Sequence, residues 1–576
     1  MEFELARGFG ICHGESFILG AAEEKIIPAA VSRDGNVLTA EYDGGRTRTF
    51  FETEGGFAAG FSQSYSGGNA VSGISIAFSL DKSLYSVIVP AWNGVRLSGG
   101  HPRFWTGWTD HVEYGQTDLQ LRMLIFEGAE GGCVLWSEDG GSTFTRFYVR
   151  DDGDRFVVNV VTMPPAPFDG IFRFETETWK MRMYRGTWQN GAQYYKEFTK
   201  RRRRESGVSK PAWTGDIHLA FLTDLWNDRE QIKALSGLID PKHVLLHLPG
   251  WRKEPYDINL PDYTPRSSTA DDIRFAHSLG YKVQLHFNMN GFQQQKPEFG
   301  RFAEYQVRDR YTGEPVYAEY TAGGVHVKFA QMNPASEEWR NYITEKICRA
   351  AELTGCDSVH LDESLFARND RGGPAGGMTP IRGNIEYHRL LREKLPAGVA
   401  LGGEGITDFN AMYGTFMQSH VYGVGPPRPF DPGMQSQIVP VTAFVFGDSI
   451  VPYHWPGMPV TKTAHEYLEW HVAGEATGLC TTVMRDGADS FADRGNAAFR
   501  GIVKEAAFLA ANSARRIFEG TGGGVLMRYG LCDGTVAAFV RKGDGYVFLK
   551  NENAEESALY EIKCDDKGRL GLSLKG

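Results

Sequence analysis

The sequence predicts a multidomain protein with an N-terminal antiparallel β-sandwich, a central (β/α)8 TIM barrel and a small C-terminal β-domain. Three observations lead there. At 576 residues the chain is too long for one ordinary domain, since domains run to roughly 100–200 residues each. Its first third consists of short alternating runs separated by turn signals. From about residue 210, apolar strand-like runs alternate with amphipathic helical stretches, the signature of parallel βα units.

Residues 1–205 form the predicted sandwich. Alternating runs such as Tyr85–Pro90 and Arg155–Val161 lie between turn signals such as DGG at Asp43 and again at Asp139. A helix over 188–204 closes this part and ends in the basic run Lys200–Arg204. Such a run at a domain boundary reads as a solvated helix end, not a nucleic-acid site.

Residues 206–518 form the predicted barrel, with strands at Ile217–Thr223, Val244–Pro249, Lys282–Asn288, Ser358–Asp362, Val399–Glu404, His420–Val424, Ser449–Tyr453 and Gly478–Val483. Helical patterns fall at Asp228–Leu238, Thr269–Leu279, Ser336–Leu353, Asn384–Leu395 and Thr463–Thr477, and a last one runs over Ala497–Phe518. Eight strands over about 300 residues match the size of a (β/α)8 barrel. An insertion from Gly291 to Ala335 follows strand three, and its strand-like Val325–Phe329 predicts a small hairpin over the site. Residues 519–576 return to short strands, as in Val525–Arg528 and Tyr546–Lys550.

Composition narrows the function classes. The net charge of −10 disfavours nucleic acid or an anionic membrane as partner. Aromatic side chains make up 12%, which suits both an ordinary large core and sugar-ring stacking. Seven scattered cysteines without a CxxC pair predict reduced thiols in a cytoplasmic protein. No apolar leader or membrane span is evident, although a trimmed secretory leader would leave the same sequence. Nothing in the sequence sets an oligomeric state.

Barrel enzymes carry their catalytic groups at the C-terminal ends of the strands. Strand four reads CDSVHLDES over Cys356–Ser364. Side chains alternate across a strand, so Ser358, His360 and Asp362 share the inward face, while Val359 and Leu361 face the helices. Glu363 is the rival acid, but parity points it away from the axis. Strand five ends in Gly402, Gly403 and Glu404, which places Glu404 inward with room around it. Neighbouring strands lie about 4.8 Å apart. Two such carboxyls therefore match the roughly 5–5.5 Å spacing of retaining glycosidases, while inverting enzymes need ~6.5–9.5 Å to admit a water. On this reading Asp362 is the nucleophile and Glu404 the acid/base. The competing readings are a helix N-cap for Asp362 and a surface-loop carboxylate for Glu404.

The stretch MNPASEEW from Met332, a long helix, and GCDSVHLD from Gly355 resembles the strand-four region of retaining α-glycosidase barrels, and Gly403–Gly405 resembles their acid/base strand. The three-part layout is similar to that of glycoside hydrolase families 129 and 101, the α-N-acetylgalactosaminidases. The resemblance implies an Asp on strand four, a Glu on strand five and an α-linked substrate. The α-amylase superfamily shares the carboxylate order but has an Arg two residues before its nucleophile. Here His360 stands there, which argues against starch chemistry.

Other strand ends supply candidate substrate contacts: Asp224 after strand one; Trp251, Arg252 and Lys253 after strand two; Asn288 and Asn290 at strand three. His360 and Glu363 stand at strand four, His454 and Trp455 after strand seven, Arg485 and Asp486 after strand eight. Trp251 is a candidate for sugar stacking, as is the aromatic cluster Phe104–Trp108. His286 and His360 should point inward. With no HExxH and no HxH pair on strand one, bonding to neighbouring carboxylates is expected in preference to a catalytic metal. No organic cofactor is implied. Related barrels often carry a structural calcium ion, but no loop here has a clear calcium pattern. Two further classes fit the architecture: a non-catalytic carbohydrate-binding protein, and a metal-dependent barrel hydrolase.

Overall fold

A computed structural model describes residues 2–454 except 55–56, 101–110, 117–118, 224–228, 323 and 421–436. Beyond 454 it describes seven strands between 481 and 574 and the helical positions Val503, Ala506, Ala507 and Ala510. The predicted helix Thr463–Thr477 lies outside these residues.

The N-terminal part is built of two antiparallel sheets, of eight and ten strands. Alternation turns one face of each sheet to a shared apolar core. Phe9, Phe78 and Val158 enter it from the first sheet, and Phe126, Leu135 and Trp179 from the second. The rings of Phe9 and Phe126 lie 5.1 Å apart. The same core takes in Ala367, Ile381, Phe409 and Ile438 from the following part of the chain.

Eight parallel strands form the central, barrel-like sheet: β1 Leu219–Thr223, β2 Val244–Leu248, β3 Lys282–Asn288, β4 Ser358–Asp362, β5 Ala400–Glu404, β6 Phe416–Ser419, β7 Val451–His454 and β8 Thr481–Arg485. Neighbours pair in sequence order from β1 to β7, and β8 pairs with β1. The sheet is thus nearly closed; no ladder joins β7 to β8 among the described residues. Helices α1 Arg229–Ser236, α2 Thr269–Leu279, α3 Glu337–Thr354, α4 Pro380–Lys394 and α5 Val441–Phe446 lie between strands. Their ends follow local chemistry. Ser336 caps α3 by accepting from the Trp339 N–H, and Gly355 ends it at φ +71°. Thr379 caps α4 ahead of Pro380 at its first turn.

Alternation sorts the strand residues into two layers. Leu246, Leu285, Phe287, Val359 and Leu361 face outward and pack with Trp339, Ile343 and Ile347 of α3 and Leu391 of α4. Burying each such side chain contributes about 1.5–3 kcal/mol. Inside, Leu245, Ala400, Phe416 and Tyr453 form a small apolar layer, above which the interior is polar.

Three expectations are corrected. Strand six occupies Phe416–Ser419, not His420–Val424; the apolar pairing of Phe416 and Met417 with Val451 and Pro452 sets it earlier. The helix predicted to run to Phe518 gives way to a strand at Arg515–Ile517, the edge of a four-stranded C-terminal sheet. The basic helix end is not wholly solvated: Arg203 is buried and donates to the Ala411 and Gly414 carbonyls, tying the helix Trp188–Glu205 to the loop before β6. Among the described residues no helix is long and apolar enough to cross a membrane, and the buried Cys133, Cys348 and Cys356 are free thiols.

Candidate active site

The β4–β5 ladder pairs Ser358 with Ala400 and His360 with Gly402, and its last pair is Leu361 with Gly403. The next step sets Asp362 opposite Glu404, with both side chains on the inward face. Their side chains are 15% and 19% exposed, so each is open to a ligand without facing bulk solvent.

Asp362 accepts a hydrogen bond from the Tyr256 hydroxyl at 3.2 Å and stands 3.6 Å from His286 Nε2. Burial alone would raise its pKa. The His286 charge and hydrogen bond, with Tyr256 and a hydrogen bond from the nearby Glu404, outweigh burial and hold it below the ordinary value. Glu404 Oε2 accepts from the Glu363 backbone N–H at 2.9 Å, and Oε1 lies 3.2 Å from His420 Nε2. Asn410 and Ser364 donate to the Glu404 carbonyl and fix the strand end.

Glu363 has not turned away from the site. Its backbone adopts φ +60°, a left-handed conformation that costs a non-glycine residue about 1–3 kcal/mol and breaks the alternation. Its buried carboxyl accepts from Gln331 Nε2 at 3.0 Å, and Oε2 has no protein partner. Burial, then the negative charges of Asp362, Asp257 and Glu404, push its pKa well above the ordinary glutamate value. Asp257, also left-handed at φ +54°, is raised to about 6 by burial and then by Asp362, and it accepts from the Tyr320 hydroxyl.

The insertion after β3 forms a three-stranded sheet from Gly291–Phe292, Tyr317–Ala322 and Val325–Gln331. It delivers Tyr320 and Gln331 to the site. Gln331 in turn accepts from Arg368, which also donates to Gln116 of the N-terminal part.

The other predicted residues divide. Trp251 is fully buried against Phe287 and Tyr263, with Nε1 donating to the His286 carbonyl, so no ring face is open for stacking. Arg252 is buried and donates to the Pro255, Ile258 and Asp262 carbonyls; it braces the loop that carries Tyr256 and Asp257. Lys253 is exposed. Asn288 is buried, its Oδ1 accepting from the Asn290 and Gly291 N–H groups, and Asn290 Nδ2 donates to the Glu363 carbonyl. His454 is buried at the end of β7. Asp224, Trp455, Asp486 and the Phe104–Trp108 cluster lie outside the described residues. His360 is buried below Asp362, and nitrogens of His247, His286 and His360 all lie within 4.8 Å of one another. Among the described residues this trio is the group that could hold a metal ion.

Sequence reasoning missed His420, Tyr256, Asp257, Tyr320 and Gln331. A correct register for strand six would have found His420, because the residue after the strand then sits at the barrel mouth. Tyr256 and Asp257 come from a loop, and Tyr320 and Gln331 from strands of the insertion, whose path over the site no periodicity encodes.

A family model described as a domain of unknown function, DUF6259, matches residues 176–455. No curated protein matches the sequence. In fold the chain is similar to the α-N-acetylgalactosaminidase NagBb from Bifidobacterium bifidum in its GalNAc complex, with TM-score 0.62 at 13% identity, over 95% of this chain and 99% of that one. A quadruple mutant of NagBb aligns with TM-score 0.63 at 14% identity, over 94% and 95%. The GH36 α-galactosidase AgaA from Geobacillus stearothermophilus, in complex with stachyose, aligns with TM-score 0.51 at 12% identity, over 97% and 85%. The chain thus shares a fold with glycoside hydrolases.

Proposed function

We propose that the protein is a retaining glycoside hydrolase acting on α-linked galactose-type sugars, with Asp362 as nucleophile and Glu404 as acid/base. One observation carries the reading: two inward carboxyls at the C-terminal ends of adjacent parallel strands, one step beyond the last pair of the ladder and within hydrogen-bonding reach of each other. A pair this close suits direct attack better than the ~6.5–9.5 Å gap an inverting enzyme keeps for water.

In the first step Asp362 bonds to the anomeric carbon as the glycosidic C–O bond breaks, and Glu404 gives its proton to the departing oxygen. In the second, Glu404 takes a proton from water, whose oxygen displaces Asp362 from the same carbon. Two inversions leave the configuration unchanged. The depressed pKa of Asp362 keeps it anionic for attack. The Tyr256 hydroxyl, and the Glu363 carboxyl in the protonated form that its raised pKa favours, are donors suited to sugar hydroxyls. The similarity to NagBb and AgaA supports the sugar class and agrees with the resemblance to families 129 and 101. The N-terminal sheets then serve as a sandwich domain bracing the site wall through Gln116, beside a (β/α)8 catalytic barrel.

The test is a screen of aryl α- and β-glycosides of GalNAc and galactose, with NMR of the first-formed anomer. Turnover of an α-glycoside with the α-anomer appearing first is expected. The β-anomer first would overturn retention, and sugar binding without any turnover would favour the non-catalytic class. A second measurement removes the rival acid. A protonated Glu363 is nearly isosteric with Gln, so Glu363→Gln should keep kcat within about tenfold, the scale of one hydrogen bond.

A further inference from the structure

We propose that a one-way hydrogen-bond chain inside the barrel, from Ser358 through Gln284 and His247 to His286, aims a proton at Asp362 from behind, making His286 a positioning residue. The inference rests on the reading of Asp362 as nucleophile.

The direction follows from donors and acceptors. The Ser358 hydroxyl donates to Gln284 Oε1 at 2.7 Å. That turns the amide nitrogen of Gln284 toward His247 Nδ1, 3.4 Å away, and the Tyr453 hydroxyl, 3.3 Å away. An amide N–H can only donate, so His247 Nδ1 accepts and its proton sits on Nε2. His247 Nε2 faces His286 Nδ1 at 3.1 Å. When His286 is neutral its Nδ1 therefore accepts, and its own proton sits on Nε2, 3.6 Å from Asp362 Oδ2; burial opposes its protonation but Asp362 favours it, and the cation carries a proton on both nitrogens. The 3.6 Å separation is just beyond a hydrogen bond, and Nε2 has no other protein partner among the described residues; catalytic contacts commonly tighten only when a substrate closes the site.

Packing preserves this order. Ser358, Gln284 and His247 are all but fully buried. Gly402 leaves the space: a Cβ there would stand 2.8 Å from Gln284 Oε1. His360 lies on a side branch, its Nδ1 3.0 Å from the Tyr453 hydroxyl. The groups facing Asp362 are His286, Tyr256, Glu404, Glu363 and Asp257, with Tyr320 behind Asp257. Those facing His286 are Asp362, Asp257, Glu404, Tyr256, His247 and His360. The same three imidazoles are the alternative metal ligands. Their rings lie flank to flank, 4.6–5.3 Å between centroids, and two of the nitrogens point at each other instead of at a common centre.

The direct test needs no substrate. Two-bond 1H–15N NMR of the 15N-histidine-labelled protein, followed upward in pH until His286 has lost its cationic signature, should show His247 and His286 with the proton on Nε2. An Nδ1–H tautomer at either overturns the chain. So does stoichiometric binding of added Zn2+ that is lost in His360→Gln, because the metal would take the same lone pairs. On an active aryl glycoside, His286→Phe keeps the ring packing and removes the donor. The acid-side midpoint of kcat/KM should then rise by about one pH unit or more, and His247→Phe should move it less in the same direction. An unchanged midpoint in His286→Phe overturns the positioning role. If the wild type turns over no glycoside, the glycosidase reading falls, while the NMR still decides the chain.

Discussion

Asp362→Asn is expected to lower kcat by about four orders of magnitude while leaving the far-ultraviolet circular dichroism and melting temperature nearly unchanged. An amide cannot attack as an anion, yet it keeps the volume of the carboxyl and still accepts from Tyr256, so the loss is chemical. Glu404→Gln should cost about 10²–10⁴-fold, the range of a positioned general acid/base. Its deficit should shrink on a dinitrophenyl glycoside, whose leaving group departs without protonation. Exogenous azide separates the roles further. In Asp362→Gly, azide attacking the free face gives the inverted glycosyl azide. In Glu404→Ala, it attacks the glycosyl-enzyme and gives the retained one. Near-normal turnover in either the Asn or the Gln variant removes that residue from its role.

The core of this site was legible because strand alternation is a strict rule. On β4 it put His360 and Asp362 inward and Val359 and Leu361 against the helices, as the packing shows. Helix ends were legible for the same local reason, as Ser336 and Gly355 at α3 illustrate. What escaped lies where local rules stop. Glu363 breaks the alternation with a left-handed backbone, so parity turned it the wrong way. His420 reads as the start of a strand because Pro426, Pro427, Pro429 and Pro432 crowd the stretch after it and blur the pattern; the observed end at Ser419 lifts it to Glu404. Trp251 looked like a stacking platform by its position after strand two, but its burial depends on Tyr263 and Phe287, contacts that only the folded loop creates. Tyr256 and Asp257 on a loop meet Tyr320 on a strand of the insertion, elements far apart in sequence.

The second large effect concerns stability, and it arises where the insertion meets the N-terminal sheets. Glu113 is buried between two arginines. Arg310 of the insertion binds both its oxygens, and Arg146 donates to Oε2 through Nε at 3.1 Å and Nη2 at 2.9 Å. Burial opposes its ionisation, but Arg310 and then Arg146 hold its pKa down to about 2. Glu113→Gln takes the carboxylate from Arg310 and leaves the almost fully buried Arg146 with only the partly exposed Glu23 as its anion. Breaking such a cluster from one side costs about 3–5 kcal/mol, which chemical denaturation at pH 7 should read as a lower midpoint. The sign of the pH dependence follows from the depressed pKa. Wild-type stabilisation is fully present above the ordinary glutamate value of 4.5 and is lost as pH falls through about 2. The gap between wild type and variant should therefore narrow over that window. Parallel stability curves would mean that the charge of Glu113 does not hold the insertion. Because the same insertion carries Tyr320 and Gln331 to Asp257 and Glu363, loosening Arg310 should also raise KM more than it lowers kcat, which would place sugar binding, not bond cleavage, under the control of this clamp.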